Sequence, residues 1–100
     1  MKIRHLILAA SMAIVGTGSH AAEFINVLTG GTSGVYYPLG VSLTQIYSKA
    51  IPDSKTSVQA TKASAENLNL LQAGKGEVAF SLGDTFNEAV KGNEEVGFKA

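Results

Sequence analysis

A glycine-rich loop in the first third of the chain carries the residues best suited to bind a ligand. Gly30, Gly31 and Gly34 surround the hydroxyl residues Thr32 and Ser33. An apolar segment precedes the loop, and a Tyr-Tyr-Pro sequence follows it. A strand, a glycine turn and a helix start, in that order, present free backbone N–H groups to an anion, and the hydroxyls add further donors. The loop therefore predicts a binding site for a carboxylate or a phosphate.

The glycine spacing differs from three well-known glycine motifs. A P-loop needs a lysine directly after its last glycine, but Val35 follows Gly34. The dinucleotide fingerprint G-x-G-x-x-G has a different spacing. The nucleophile elbow G-x-S-x-G requires a glycine where this chain has Val35. A plain connecting turn remains the alternative interpretation of the loop.

Four further side chains are candidates for ligand contact. Tyr36 and Tyr37 either line the cleft or pack under the sheet with the hydroxyl in water. Ser64 is either a helix cap or a ligand contact, and Ser81 could contact a ligand. The predicted ligand-binding residues are Gly30, Gly31, Thr32, Ser33, Gly34, Tyr36, Tyr37, Ser64 and Ser81.

Catalytic side chains are scarce. Both histidines, His5 and His20, fall in the first 22 residues, and the chain has no cysteine. The remainder cannot form a Ser-His or Cys-His pair, nor a zinc site built on histidine or thiolate. No pair of carboxylates has a spacing that indicates general acid and base roles. We therefore expect a binding protein rather than an enzyme, with no cofactor and no metal.

The first 22 residues have the three parts of a signal peptide. Lys2 and Arg4 begin the segment, an apolar run extends over 6–15, and small residues end it at Ala21 and Ala22. The apolar run is about half the roughly 20 residues that a transmembrane helix needs. We predict cleavage near Ala21/Ala22 and a periplasmic location, with residues 1–22 as signal peptide and 23–100 as the N-terminal part of one lobe of a longer binding protein.

Cleavage would leave six basic and eight acidic residues. No basic stripe remains that would indicate a nucleic-acid partner, and the expected state is a monomer.

Hydrophobic periodicity predicts alternating strands and helices. Helix caps are expected at Thr61 or Ser64 and at Asp84. The predicted strands are 24–28, 55–61 and 77–82, and the predicted helices run from Tyr36 to before Pro52, from Ser64 to Gly74 and from Asp84 to Gly92. This order predicts an α/β fold: an open sheet of parallel strands with helices on both faces.

Ligands in such folds bind beyond the carboxyl ends of the strands. Three loops meet this condition, namely residues 29–34, 61–64 and 81–84. Each loop offers hydroxyl groups at or just before a helix start. The three loops together predict a binding cleft rather than an acid–base site.

These residues resemble the TAXI family of TRAP-transporter solute-binding proteins. The first matching block is T-G-G-T-x-G-x-Y-Y-P at Thr29–Pro38, and the second is T-x-x-S-x-E-N-L-x-L-L-x-x-G at Thr61–Gly74. The third is the apolar segment Val78–Leu82 with an aspartate soon after it. The chain departs from the pattern at Ala63, where glycine is expected, and at Ser81-Leu82, where glutamine is common.

The resemblance implies a two-lobed receptor of the type II periplasmic binding-protein fold, of which this chain would hold the first part of lobe one. Such a receptor closes on a small organic anion, such as glutamate or another amino or dicarboxylic acid. It then delivers the anion to membrane permease subunits. Three alternatives remain: a sensor domain coupled to a kinase, an enzyme whose catalytic groups lie elsewhere, and a truncated relic.

Overall fold

The computed structural model describes residues 22–99, so the predicted signal peptide lies outside the described residues except for Ala22. The predicted alternation of strands and helices is confirmed. The elements are β1 (Glu23–Leu28), α1 (Tyr36–Ala50), β2 (Ser54–Gln59), α2 (Ser64–Gln72), β3 (Val78–Ala79), α3 (Gly83–Lys91) and a short 3₁₀ helix (Glu94–Val96).

The three strands form one parallel sheet in the order β2-β1-β3. The pairing of β1 with β2 runs from Glu23 opposite Ser54 to Leu28 opposite Gln59. The third strand is shorter than the predicted 77–82, since only Val78 and Ala79 pair with β1. Phe80 N still donates to the carbonyl of Leu28 at 3.0 Å, after which the chain turns toward α3.

Helices pack on both sides of the sheet, as predicted. A Cβ at the buried Gly40 of α1 would collide with the Thr29 side chain and lie 3.5 Å from that of Val27, so these side chains face α1. Side chains alternate along a strand, and Leu28 accordingly points to the other face, where it packs against Gly76 beyond α2. This arrangement is consistent with part of one lobe of a periplasmic binding protein.

The predicted caps of α2 are wrong. The N-cap residue is Ala63, and no side chain caps the helix. Ser64 is already the first helical residue, and its hydroxyl accepts a hydrogen bond from Leu82 N at 2.9 Å. Thr61 precedes the helix, and its hydroxyl accepts from Ala63 N at 3.0 Å. Both hydroxyls therefore fix the loops around α2 rather than its first turn.

The predicted cap of α3 is also wrong. Leu82 is the N-cap residue and Asp84 lies within the first turn, where its carboxylate accepts from Thr85 N at 2.7 Å. An acidic side chain in this turn still interacts favourably with the helix dipole.

The core is small and centres on β1. Val27 and Leu28 are fully buried, and Phe98 joins them with only 5% of its surface exposed. Within residues 22–99, no helix is both long enough and apolar enough to cross a membrane.

Candidate functional site

A cavity of about 300 Å³ opens at the carboxyl end of the sheet. All three predicted loops contribute to its wall, so the structure brings them together as the sequence predicted. The lining residues are Gly30, Gly31, Gly34, Val35, Tyr36, Ala63, Ser64 and Leu82. None of these eight residues is charged at neutral pH.

The N-termini of all three α-helices meet at this cavity. Val35, Ala63 and Leu82 are the N-cap residues of α1, α2 and α3, and each of them lines the wall. No side chain makes an N-cap hydrogen bond at any of these helices. The first-turn N–H groups of a helix have no partner within the helix and carry its positive dipole end. The cavity therefore favours a negatively charged group.

Acidic side chains partly neutralise the positive dipole end at two of the helices. Glu66 lies in the first turn of α2 and Asp84 in that of α3, whereas α1 has none. Neither carboxylate residue lines the cavity. The most favourable end for an anion is therefore that of α1, beside the glycine loop.

The structure brings five of the nine predicted site residues to the cavity wall: Gly30, Gly31, Gly34, Tyr36 and Ser64. The other four lie outside the lining. Thr32 and Ser33 are exposed in the loop, and Tyr37 is half-buried. The Ser81 hydroxyl donates to the carbonyl of Leu82 at 2.9 Å.

Tyr36 combines the two roles that the sequence left open. Its ring stacks on that of Phe80, with centroids 5.1 Å apart and planes 21° from parallel. The same residue lines the cavity. Packing on the strand end therefore fixes the aromatic part of the wall.

The sequence did not single out Asn67, whose side chain links the ends of the three strands. It is fully buried, and its Nδ2 donates to the carbonyls of Thr29 at 2.6 Å and Phe80 at 2.9 Å. A longer contact of 3.4 Å reaches the carbonyl of Leu28. Its Oδ1 accepts from the hydroxyl of Thr61, which follows β2.

A signal for Asn67 exists in the sequence. It lies three residues after Ser64, so the two share one helix face, and both are buried. Two polar residues at this spacing on a helix that packs on a sheet indicate a buried polar contact.

Ala63 has an unusual backbone conformation beside the cavity. Its φ of 71° and ψ of −144° lie in a region that glycine adopts readily and other residues rarely do. It is the non-glycine residue with positive φ in the described part of the chain. The family pattern that the chain resembles has glycine at this position, and the backbone here retains a glycine-like geometry.

A wider depression of about 660 Å³ lies on the sheet face opposite α1 and includes Asn26, Ser57 and Gln59. These three side chains pair with each other, since Asn26 Nδ2 donates to Gln59 Oε1 at 2.9 Å and Ser57 Oγ donates to Asn26 Oδ1 at 3.0 Å. The charged residues Lys55, Lys75 and Glu77 also line this depression. No helix N-terminus is among its lining residues. The smaller cavity at the strand ends is therefore the better candidate site.

Open parallel sheets with a cavity at the carboxyl edge are typical of α/β domains that bind small molecules, and the fold and cavity place this protein in that class. The NMT1-like family model matches residues 27–100, and the chain belongs to this family. The family is of the periplasmic binding type, so the general part of the resemblance, a solute-binding domain for a small molecule, is confirmed. Membership of the TAXI group stays a prediction.

Proposed function

We propose that this chain belongs to an exported receptor that captures a small organic anion and delivers it to the permease subunits of a TRAP-type transporter. One observation carries the ligand-binding part of the proposal. The N-cap residues of three helices line a single cavity that contains no charged side chain.

The physical argument concerns the anion. A negative charge at one helix N-terminus gains about 0.3–1 kcal/mol at an exposed site and up to about 2 kcal/mol when partly buried. Three such termini can act on the same group. Carboxylates also accept more than one N–H bond, so the glycine loop can bind one through its backbone.

The lining residues favour binding over catalysis. Ser64 supplies the buried hydroxyl of the wall, and that hydroxyl already accepts from Leu82 N. No histidine, lysine or carboxylate lines the cavity to activate it. A nucleophile without an adjacent base is weak, which supports the proposal of a non-enzymatic receptor.

The transport part of the proposal rests on the sequence. The predicted signal peptide supports a periplasmic location, and the Thr29–Pro38 block supports the TAXI group. Membership of the NMT1-like family supports a solute-binding role. Glutamate and other amino or dicarboxylic acids are the proposed ligands.

Isothermal titration calorimetry tests the proposal with glutamate, glutamine, succinate and 2-oxoglutarate as probes. We expect at least one acid to bind the purified protein. A matched pair of variants at Gly31 tests the role of charge, because a Cβ added there would have no non-neighbouring heavy atom within 4 Å. Gly31→Asp introduces a carboxylate beside the cavity, and Gly31→Asn adds nearly the same volume without the charge.

Two unit charges 4 Å apart repel by about 1 kcal/mol in water and about 4 kcal/mol near a protein surface. We therefore expect Gly31→Asp to bind the acid at least about fivefold more weakly than Gly31→Asn. Equal affinities of the two variants would refute an anion site at this loop. A folded protein that gives no heat with any of the acids would refute the proposed ligand class.

A further inference from the structure

We propose that Ala63 and Gly30 together limit the bulk of the ligand at the cavity, so that Ala63 is a specificity-determining residue. The inference rests on the proposed function, since it concerns which carboxylates the same cavity accepts. It adds that the wall beside Gly30 disfavours an added methyl group on the carbon next to the carboxylate.

Hydrogen bonds on both sides hold the Ala63 backbone in its conformation. Its N–H donates to the hydroxyl of Thr61 at 3.0 Å, and its carbonyl accepts from Asn67 N at 2.9 Å. Thr61 and Asn67 are themselves bonded to each other. The Ala63 methyl group therefore has a fixed position and cannot move aside for a larger ligand without breaking these bonds.

Gly30 provides the opposite side of the gap. A Cβ on Gly30 would lie 3.5 Å from the methyl carbon of Ala63 and 3.6 Å from Cδ2 of Tyr36. These are ordinary contact distances, and Gly30 is not among the residues with positive φ. Neither the backbone nor a steric clash therefore requires glycine here, and its missing side chain leaves space that one methyl group would fill.

The two positions allow variants that change the gap in opposite directions. Ala63→Gly removes a methyl group and suits the positive φ, so it should fold at least as well as the parent protein. Gly30→Ala adds a methyl group at contact distance. Calorimetric titration with succinate, methylsuccinate and 2,2-dimethylsuccinate varies the bulk beside a carboxylate at constant charge, and glutamate with 2-methylglutamate gives a second series.

One methyl group in a close-fitting pocket changes affinity by about 10- to 200-fold. We expect the parent protein to bind most tightly the acid of each series that has no added methyl group. Ala63→Gly should reduce that preference by about tenfold or more, and Gly30→Ala should weaken binding of the methylated acids further. Thermal unfolding of each variant shows that it is folded, and Ala63→Gly should raise the midpoint because it removes the backbone strain.

The outcomes separate the two proposals. If the ratio of the affinities for the methylated and the unmethylated acid is the same in all three proteins, the role of Ala63 is overturned and the receptor proposal stays intact. No binding of any acid to any of the three folded proteins would overturn the receptor proposal, and the size limit with it.

Discussion

Replacement of Asn67 by leucine is the most demanding test of how the cavity is held together. Leucine has the same branched shape and is larger than asparagine, so the change removes hydrogen bonds without creating a void. The Nδ2 group that serves the carbonyls of Thr29 and Phe80 disappears, as does the acceptor for the hydroxyl of Thr61. These groups come from the ends of all three strands.

The expected cost follows from burial. A buried polar group that loses its partner costs about 1–3 kcal/mol. Thr29 O keeps a contact of 3.1 Å with the Thr61 hydroxyl, so the loss at this carbonyl is partial. We therefore expect Asn67→Leu to lower the free energy of unfolding by roughly 2–4 kcal/mol. A domain of this size has about 4–12 kcal/mol in total, so the variant should be markedly unstable.

Equilibrium unfolding in urea measures this change, and Asn69 provides the control on the same helix. Asn69 is exposed, and its Nδ2 donates to the carbonyls of Ala65 and Gly97. We expect Asn69→Leu to change stability by less than about 1 kcal/mol. Equal effects of the two substitutions would refute the argument that the buried amide links the strand ends.

Asn67→Asp adds a dependence on pH. A carboxylate at this site would face carbonyl oxygens in a fully buried position, so burial and repulsion would raise the pKa of the introduced carboxyl group in the folded state. In the unfolded chain the same carboxyl group has a pKa of about 3.9, so as pH rises it loses its proton at a lower pH there than in the folded protein. Stability relative to Asn67→Leu should therefore fall as pH rises from about 4. If the difference in free energy of unfolding between the two variants stays constant from pH 4 to pH 7, this reasoning is contradicted.

Two further substitutions test the packing and the loops by urea unfolding. Gly40→Ala should destabilise the protein by about 1–3 kcal/mol despite the better helix propensity of alanine, because the new Cβ would collide with the Thr29 side chain. Gly31→Ala, where nothing lies within 4 Å, is its control and should be nearly neutral; a similar loss in both would contradict tight packing of α1 on the sheet. Ser64→Ala should cost about 1 kcal/mol, because Leu82 N loses its acceptor. Unchanged stability in Ser64→Ala would show that this bond does not hold the β3–α3 loop in place.

Local sequence signals were enough to predict the element order and the loop that begins the site. Strand β1 and helix α1 are separated by glycines and hydroxyl residues whose turn preference is local. The rule that ligands bind at the carboxyl ends of parallel strands then placed the three loops together. Five of the nine predicted residues line the cavity that these loops form.

The features that sequence reasoning missed depend on long-range contacts. Asn67 is buried only because three strand ends meet around its amide, and a single helical segment does not show that. Gly40 reads as a weak helix residue, yet its lack of a side chain lets α1 approach Thr29. The predicted third strand is too long because the apolar alternation continues to Leu82, whereas strand pairing stops at Ala79.

The two-residue pairing of β3 with β1 has a consequence for what fixes the cavity wall. The backbone ladder fixes the start of the last segment, but side chains of α2 fix the part near the cavity, through Asn67 on Phe80 and Ser64 on Leu82. Ser64 contacts only this last segment through that bond, whereas Asn67 also contacts the ends of the other two strands. Exchange of Ser64 should therefore let Leu82 shift while the pairing of the sheet stays intact, so that a helix side chain, rather than strand pairing, sets this part of the cavity wall.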